Sequence, residues 1–283
     1  MSFFQGKTAI VTGAGSGIGR ALAFALADAG CRLVITDIAQ ERIDQAVDEL
    51  RDRGAEVEGY RVDHSKLDEV KSFTERFFEK WGHVDILCQN AGVGLGGRFV
   101  ETSLEEWEWV MGINFWGAVY MLNLFVPGMI EHGGGSILLT ASDAGLAPLP
   151  FSSAYNATKY GVVAVGETIR TELFEHNIKV SLLCPGDIKT NIIRDGPLHI
   201  YDSTGRSNKP AIEKYYETKG TDPAVVAAAA LRGLERDKAI IVVPWIHHGY
   251  LILLHRISPQ LYHAAMRFAY TKGVFQKMMG MKR

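Results

Sequence analysis

Cysteine is scarce in this sequence, and its few copies lie far apart. Cys31, Cys88 and Cys184 are the only three among 283 residues, so neither a disulfide framework nor a thiolate metal site is expected. Each adjoins an apolar run, which predicts buried free thiols. Because disulfides belong to oxidising compartments, this usage favours a reducing intracellular setting, and we expect the cytoplasm.

An excess of charge of either sign is also missing. Thirty Lys and Arg against 32 Asp and Glu give a formal charge of −2, which offers no electrostatic sign of nucleic-acid binding. MSFFQGKTAIV at the start has no basic residues followed by a long apolar run, so no secretory signal is expected. His247 and His248 are adjacent and lack partners at ligand spacing, so no metal site is predicted.

What the sequence does contain is a regular alternation of short apolar strands and helices. Nearly continuous apolar strands are typical of a parallel sheet covered on both faces, and the alternation predicts an α/β fold with a doubly wound sheet. Strands are predicted at 7–12, 32–37, 56–63, 84–90, 136–142, 179–185 and 239–244. Helices are predicted at 18–30, 40–52, 66–81, 103–130, 153–176 and 223–236.

Two segments depart from this alternation. Residues 187–222 are rich in Gly, Pro and polar residues, and a long insertion of this kind is usually a functional lid or a mobile loop. We therefore predict one domain over 1–245, with 187–222 as its substrate-covering loop. Residues 246–283 form a basic, apolar C-terminal helical extension.

A glycine-rich segment, TGAGSGIG at 12–19, lies between the first strand and the first helix. Gly13, Gly17 and Gly19 permit a tight turn and close approach of a pyrophosphate, which the N–H groups of the next helix can bind. Asp37 ends the second strand, where a carboxylate binds the adenosine ribose hydroxyls and repels a 2′-phosphate. Alone it would be read as a helix cap. No Lys or Arg occupies residues 14–16, and Ile38 rather than a basic residue follows Asp37, so NAD is favoured over NADP.

Two further polar positions end strands at the edge where ligands bind in open α/β sheets. Asp63 ends the third strand and could accept a hydrogen bond from the adenine amino group. NAG at 90–92 ends the fourth and could let the backbone pass close to the adenosine. His64 is assigned no catalytic role, because a lone loop histidine is more often structural or solvated. Only a backbone contact to adenine is predicted for it.

The stretch SAYNATKYG places a tyrosine and a lysine four residues apart on a predicted helix. Tyr155 and Lys159 therefore share one helix face. They are either a surface pair or a phenol whose pKa is lowered for proton transfer. Ser142 ends the fifth strand, Asn114 lies within the helix predicted at 103–130, and a doubly wound fold could bring all four together.

The ordered set of motifs resembles that of the short-chain dehydrogenase/reductase family, over roughly residues 5–245. The resemblance implies a Rossmann-like fold, an NAD(H)-dependent oxidoreductase acting on an alcohol or ketone, and a homodimer or homotetramer formed through the helices near 103–130 and 153–176. The motifs that carry it are Thr12–Gly19, Asn90–Gly92, Asn114, Ser142, Tyr155-x-x-x-Lys159 and Pro185-Gly186.

The resemblance also implies roles. Tyr155 would be the acid/base. Lys159, together with the nicotinamide cation, would lower its pKa and would also hold the nicotinamide ribose. Ser142 would bind the substrate oxygen, and Asn114 would hold a water near Lys159. Thr190 would contact the cofactor carboxamide, with a backbone contact from Ile188. The implied cofactor-binding residues are Gly13, Ser16, Gly17, Ile18, Gly19, Asp37, Asp63, His64, Asn90, Ala91, Gly92, Tyr155, Lys159, Pro185, Gly186, Ile188 and Thr190.

Departures from the family pattern lie at the adenosine end. His64 stands where a small apolar residue is more common, and Gln89 where asparagine is common; both bear on affinity rather than chemistry. Apolar residues at 94–97, 146–151 and in the lid predict a pocket for a hydrophobic secondary alcohol or ketone. Simple packing of these residues under the lid is an equally open interpretation.

The tail is unusual because it lacks acidic residues. From Lys238 to Arg283 there are seven Lys or Arg and no Asp or Glu. The apolar run at 245–257 is well short of the roughly 20 residues of a membrane span, and a helix is predicted from 260 to about 272. Two interpretations stay open: a peripheral membrane contact, or an added helical layer over a neighbouring subunit or the substrate mouth, which we favour.

A function without catalysis is the alternative to the dehydrogenase. A Rossmann-type protein can sense NAD(H) without reacting, and here it could do so at a membrane through the tail, since a fold alone does not define an activity. The presence of all four polar residues of the catalytic set favours the enzyme.

Overall fold

A single seven-stranded parallel sheet forms the centre of the computed structural model, which describes residues 3–201 and 206–275, without the side chains of 246–248. Its strand order is β3-β2-β1-β4-β6-β7-β9, and two two-residue strands, β5 and β8, pair separately. The strands are β1 Thr8–Thr12, β2 Arg32–Asp37, β3 Val57–Arg61, β4 Ile86–Gln89, β5 Gly96–Gly97, β6 Gly135–Thr140, β7 Ile178–Pro185, β8 Leu198–His199 and β9 Ile240–Val243. The order reverses between β1 and β4, and that crevice is where ligands bind in such sheets.

Helices cover both faces of the sheet and enclose two separate apolar cores. One core contains buried residues of α1, α2 and α8, and the other contains those of α3, α5 and α6. The helices are α1 Gly17–Asp28, α2 Gln40–Asp52, α3 Leu67–Trp81, α4 Leu104–Met111, α5 Gly117–Glu131, α6 Ser153–Glu172, α7 Lys209–Lys219, α8 Pro223–Glu235, α9 Trp245–Ile257 and α10 Pro259–Thr271. The predicted doubly wound α/β fold with a C-terminal helical extension is confirmed.

The helix predicted at 103–130 differs from the prediction because it is not regular. A π-helical turn, Gly112–Trp116, separates α4 from α5. Such turns widen the helix by one residue and are frequent at functional sites; this one carries Asn114. By length and composition alone Leu104–Glu131 could cross a membrane, and 39% of its most apolar 18-residue stretch is buried inside the protein. Its Phe125 is fully buried in the core beside α3, as in a core helix of a globular domain.

Two helices were not predicted. The lid contains α7, and a bridge between Ile188 and Thr221 joins its two ends. The apolar run 245–257 forms α9, and α10 follows after Ser258, whose Oγ accepts a hydrogen bond from Leu261 N at 3.3 Å. The structure therefore replaces the predicted single tail helix with a pair of helices. The division of the chain at residue 245 stays a prediction.

Candidate active site

The glycine-rich turn after β1 has a shape that larger residues cannot adopt. Gly13 and Gly17 have φ of +65° and +54°, and a Cβ at Gly19 would clash with the carbonyl oxygen of Gly13. Ser16 is the N-cap of α1 but makes no side-chain capping bond, so the N–H groups of the first turn remain available to an anion. Ile18 packs against the core beneath. The turn is therefore a cradle that fits a pyrophosphate.

Asp37, at the end of β2, shapes this turn as well as the predicted ribose site. Its Oδ2 accepts a hydrogen bond from Gly15 N at 2.9 Å, and its Oδ1 accepts one from Ala39 N at 3.0 Å. Arg42 lies beside it, because a Cβ at Gly15 would be 2.8 Å from both Arg42 Cβ and Asp37 Oδ2. The Arg42 guanidinium pairs with Asp195 of the lid at 2.9 Å. The residues that adjoin Asp37 in the sequence gave no sign of this cation, because Arg42 lies about one helical turn beyond the strand end.

Thr12 fixes the NAG segment to the glycine-rich turn. Its Oγ1 donates to Gln89 Oε1 at 2.8 Å and accepts hydrogen bonds from Asn90 N and Ala91 N, both at 2.9 Å. The Asn90 side chain donates to Thr12 O at 3.2 Å. Gln89, which departs from the family pattern, thus has a structural role: it orients the Thr12 hydroxyl.

The Asp63–His64 pair lies at the end of β3. Asp63 Oδ1 accepts hydrogen bonds from Ser65 N at 3.0 Å and from Ser65 Oγ at 2.6 Å. His64 Nε2 is 2.8 Å from Thr36 Oγ1. Burial lowers the His64 pKa to about 4, against a smaller opposing effect of Asp63, so the ring is neutral near pH 7. This agrees with a structural histidine, and the adenine contacts of both residues stay predictions.

The structure brings the four residues predicted to be catalytic into the crevice. Ser142 lies close enough to the Tyr155 hydroxyl to lower its pKa, and Lys159 Nζ lies 5.7 Å from the centroid of the Tyr155 ring. A Cβ at Gly92 would be 3.2 Å from Asn114 Oδ1 and 3.4 Å from Lys159 Nζ. The loop after β4, the π-helical turn before α5, the segment after β6 and the first turns of α6 therefore meet at one place.

Asn114 is held by protein atoms on all sides. Its Oδ1 accepts a hydrogen bond from Val93 N at 2.8 Å, while its Nδ2 donates to Val93 O at 3.0 Å and to Thr158 Oγ1 at 3.2 Å. The amide thus joins the loop after β4 to α6. Its predicted role of holding a water stays a prediction.

The protonation of Tyr155 differs from the expectation. Burial raises the pKa of Tyr155 above its usual value, the hydrogen bond with Ser142 lowers it, and the charge of Asp143 raises it further. Burial also lowers the Lys159 pKa to about 8, and Lys159 Nζ donates to Thr140 O at 3.1 Å. In the protein alone, burial therefore dominates the pKa of Tyr155, and the expected lowering by Lys159 does not occur.

Two residues of the site were missed by sequence reasoning. Asp143 is nearly buried, and its Oδ1 accepts a hydrogen bond from Ser142 Oγ at 2.8 Å; its signal was an acid directly after a strand-end serine. Tyr216, from α7, lies close enough to Tyr155 and Asp143 for their charges to raise its pKa, after the larger effect of burial. Because α7 was not predicted, nothing in the sequence indicated Tyr216.

The segment after β7 lies over the glycine-rich turn. Gly186 N donates to Val243 O at 2.9 Å, which positions the chain after Pro185 at the end of β7. Ile188 is buried. The side chain of Thr190 comes within 3.0 Å of where a Cβ at Gly17 would lie. The segment is therefore close to both the turn and the lid, and its cofactor contacts stay predictions.

Several of the apolar residues predicted to line a substrate pocket pack against one another under the lid. Gly97 N donates to Phe151 O at 2.8 Å, and β5 pairs with β8 of the lid. Phe151 is buried with Ile200 and Ile212 of the lid, and Leu198 packs against them. The structure therefore shows the packed arrangement among the described residues.

These features fit a nicotinamide dinucleotide. The glycine cradle, the available first turn of α1 and a carboxylate at the end of β2 match the phosphates and the adenosine ribose, and Tyr155 and Lys159 lie further along the crevice. Fold and crevice together define a Rossmann-type dinucleotide-binding protein. A sequence model described as short chain dehydrogenase matches residues 7–197, and the chain belongs to the short-chain dehydrogenase/reductase family of oxidoreductases.

Curated relatives agree with this membership. "Probable oxidoreductase EphD" of Mycobacterium tuberculosis is 32% identical over 94% of this chain, which spans only 45% of that longer protein. The "1-deoxy-11-beta-hydroxypentalenate dehydrogenase" of Streptomyces avermitilis is 34% identical, covering 77% of this chain and 83% of its own.

Solved structures share the fold and bind either nicotinamide cofactor. A short-chain dehydrogenase/reductase from Burkholderia phymatum in complex with NAD is 32% identical, covers 92% of this chain and 96% of its own, and has a TM-score of 0.84. An alcohol dehydrogenase from Thermococcus sibiricus complexed with 5-hydroxy-NADP is 28% identical over 84% of this chain and 95% of its own, with a TM-score of 0.72.

Proposed function

We propose that the protein is an NAD-dependent alcohol dehydrogenase or ketone reductase that acts on hydrophobic secondary alcohols or ketones. The observation that carries this proposal is the convergence of Asn114, Ser142, Tyr155 and Lys159 beside Gly92. An alcohol substrate is supported by the Streptomyces relative, whose name describes a dehydrogenase of a hydroxylated compound. A hydrophobic substrate would contact the apolar residues at the edge of the lid, which pack against one another in this structure.

Tyr155, Ser142 and Lys159 have separate roles in the proposed proton transfer. A bound nicotinamide dinucleotide supplies or accepts the hydride. Tyr155 takes the alcohol proton during oxidation and returns it during reduction. Ser142 hydrogen-bonds the substrate oxygen and stabilises the charge that develops there. Lys159, when protonated, favours the phenolate and so opposes the effect of burial, and the positive charge of an oxidised cofactor held there would act in the same direction.

The preference for NAD rests on Asp37. A carboxylate at this position binds ribose hydroxyls and repels a 2′-phosphate. The positive charge of Arg42, which lies beside Asp37, would attract a 2′-phosphate and so favour NADP. That charge is, however, paired with Asp195. We therefore propose NAD as the preferred cofactor, with measurable use of NADP.

The test is formation of NADH at mildly alkaline pH with a panel of hydrophobic secondary alcohols, run in parallel with NADP. We expect Tyr155→Phe to lower kcat/KM by about 10²- to 10⁴-fold, the usual contribution of a general acid/base, while NADH binding is retained. Tyr160→Phe is the matched control, since this tyrosine lies on the same helix and its hydroxyl has no hydrogen-bond partner among the described residues.

The same experiment distinguishes the non-catalytic alternative. If the wild-type protein binds NADH but turns over no substrate on a broad panel, and Tyr155→Phe leaves binding unchanged, the sensor becomes the better account.

Assembly and location belong to the same proposal. We propose a homodimer or homotetramer formed through α4, α5 and α6. Trp116 supports this contact, because it is 47% exposed and stacks on Tyr120 with ring centroids 5.9 Å apart. The three cysteines are buried and free, which supports a reducing compartment such as the cytoplasm.

A further inference from the structure

The two C-terminal helices, α9 and α10, are anchored to the rest of the protein by their inner faces. Tyr262 is fully buried, and its hydroxyl donates to Pro148 O at 2.7 Å. His255 Nδ1 lies 3.1 Å from Leu146 O. Both contacts are made with the segment that precedes α6. The helices therefore belong to the folded body rather than to a loose tail.

Their remaining surface exposes an unusual amount of apolar side chain. Six large apolar residues on these two helices are between 53% and 74% exposed. Single exposed apolar residues are ordinary in soluble proteins, but a concentration of them on consecutive helices marks an interaction surface. They are Trp245, Tyr250, Leu253, Ile257, Leu261 and Phe268.

A cationic groove adjoins this apolar surface. It has a volume of about 530 Å³, lies between α8, β9 and α9, and contains no Asp or Glu among its lining residues. Trp245 and Leu253 belong to both the groove and the apolar surface. Four cations line it: Arg232, Arg236, Lys238 and Arg256.

Three of the four groove cations have no ion-pair partner among the described residues. Within residues 3–201 and 206–275, Arg256 has an ion pair with Glu167 at 3.7 Å, while Arg232, Arg236 and Lys238 have none. Beyond Lys238 the sequence contains no acidic residue at all. An anionic partner would therefore match the charge of the groove, and the described part of this chain does not supply one.

We propose that the groove and the exposed apolar side chains of α9 and α10 form one surface that docks on an anionic lipid bilayer. The apolar side chains would enter the headgroup boundary, and the groove cations would bind lipid phosphates. A second copy of the chain fits less well, because a two-fold contact places each surface patch against itself and would bring like charges together.

Docking would also affect access to the crevice. The inner faces of the same helices contact the segment that precedes Tyr155, and Tyr270 stacks on Phe151 with ring centroids 5.6 Å apart. A docked protein would therefore hold this segment next to the bilayer, where apolar molecules concentrate. This consequence rests on the proposed function, whereas docking itself does not.

Co-sedimentation with lipid vesicles tests the surface. We expect binding to vesicles of phosphatidylcholine mixed with phosphatidylglycerol, weak binding to phosphatidylcholine alone, and loss of binding as salt is raised. The triple change Arg232→Gln, Arg236→Gln and Lys238→Gln should weaken binding on the order of 100-fold, since each cation near such a surface contributes about fivefold. The control, with the same change in charge, is Lys66→Gln, Lys71→Gln and Arg76→Gln in or directly before α3, which does not line the groove.

A second pair of variants tests the apolar part. Ile257→Ser with Leu261→Ser should weaken vesicle binding by roughly tenfold or more, whereas Val100→Ser with Phe174→Ser, which changes exposed apolar residues elsewhere, should not. Thermal unfolding and NADH binding confirm that each variant is folded. Equal binding to both vesicle types, or equal effects of test and control variants, would overturn the proposal. So would a change of oligomeric state without a change in lipid binding, which would assign the surface to a second copy.

Discussion

The cofactor crevice and the C-terminal helix pair are held together in opposite ways. In the crevice, one side chain often connects strands that are far apart in the sequence: the Thr12 hydroxyl joins Gln89, Asn90 and Ala91. In the helix pair, a few contacts such as that of Tyr262 with Pro148 fix the inner face, and much of the outer face is exposed.

The difference follows from what each region has to bind. A small, charged ligand requires donors and acceptors fixed in advance, and buried polar groups remain in place only when they are hydrogen-bonded. A bilayer is a broad and deformable partner, so it needs only apolar area and charge of the right sign. Ligand binding and catalysis in the crevice should therefore be sensitive to the change of a single atom. Binding by the outer face of the helix pair should depend only on its total charge and apolar area.

The largest effect is expected at the inner face of the helix pair. Tyr262→Ala should lower the free energy of unfolding by about 3–5 kcal/mol, as for other buried aromatic truncations. Tyr262→Phe should cost only about 1 kcal/mol, the contribution of a typical hydrogen bond. Phe268→Ala, at an exposed position on the same helix, should stay within about 0.5 kcal/mol. Urea unfolding measures all three, and equal losses for Tyr262→Ala and Phe268→Ala would contradict anchoring by one face.

The free energy of unfolding should decrease in acid because of His64, which lies at the adenosine end of the crevice. Burial gives His64 a folded-state pKa of about 4, below the ordinary histidine pKa of 6.5. As pH falls below 6.5 the unfolded chain therefore binds a proton that the folded protein does not. Stability should decrease by about 2 kcal/mol between pH 7 and pH 5 through this residue alone.

The His64→Asn variant should lose that part of the pH dependence, whatever its stability at pH 7. His263→Asn, on the exposed side of α10, should retain the full dependence. Urea unfolding at the two pH values measures it, and an unchanged slope in His64→Asn would show that the buried ring is not its source.

Much of the fold was predictable because the signals are local. Strands β1 and β2 follow from short apolar runs between glycines and polar residues, and Gly13 and Gly19 mark the turn because no other residue fits there. The closeness of Ser142, Tyr155 and Lys159 depends on the order of the strands, which was not predicted. The alternation of strands and helices predicted a doubly wound sheet, and the structure confirms it.

What was not predictable depends on tertiary packing. The π-helical turn that carries Asn114 is stabilised by contacts with Val93, which is remote in sequence. Helix α7 lies in a segment whose glycines and prolines indicated a loop, so Tyr216 could not be placed. The raised pKa of Tyr155 results from burial, and the i to i+4 spacing with Lys159 carries no information on how deeply the hydroxyl is buried.

The smallest effect is expected at Asp143, where a single charge can be removed with little change in hydrogen bonding. Asp143→Asn keeps an oxygen that can accept the Ser142 proton, but it removes the negative charge that raises the pKa of Tyr155. Alcohol oxidation requires the Tyr155 phenolate, so kcat/KM increases with pH through that pKa. In the variant the increase should begin at a lower pH, by less than about one unit.

The control for this prediction is Glu172→Gln, at the far end of α6, which should leave the pH profile unchanged. A shift to higher pH in Asp143→Asn would mean that the carboxylate acts on the profile by holding Ser142 rather than by its charge. Because Asp143 lies in the crevice, even this small shift of the pH profile should be larger than any shift caused by Arg267→Gln. Arg267 lies on the outer face of the helix pair, where solvent screens an exposed charge from the reacting atoms.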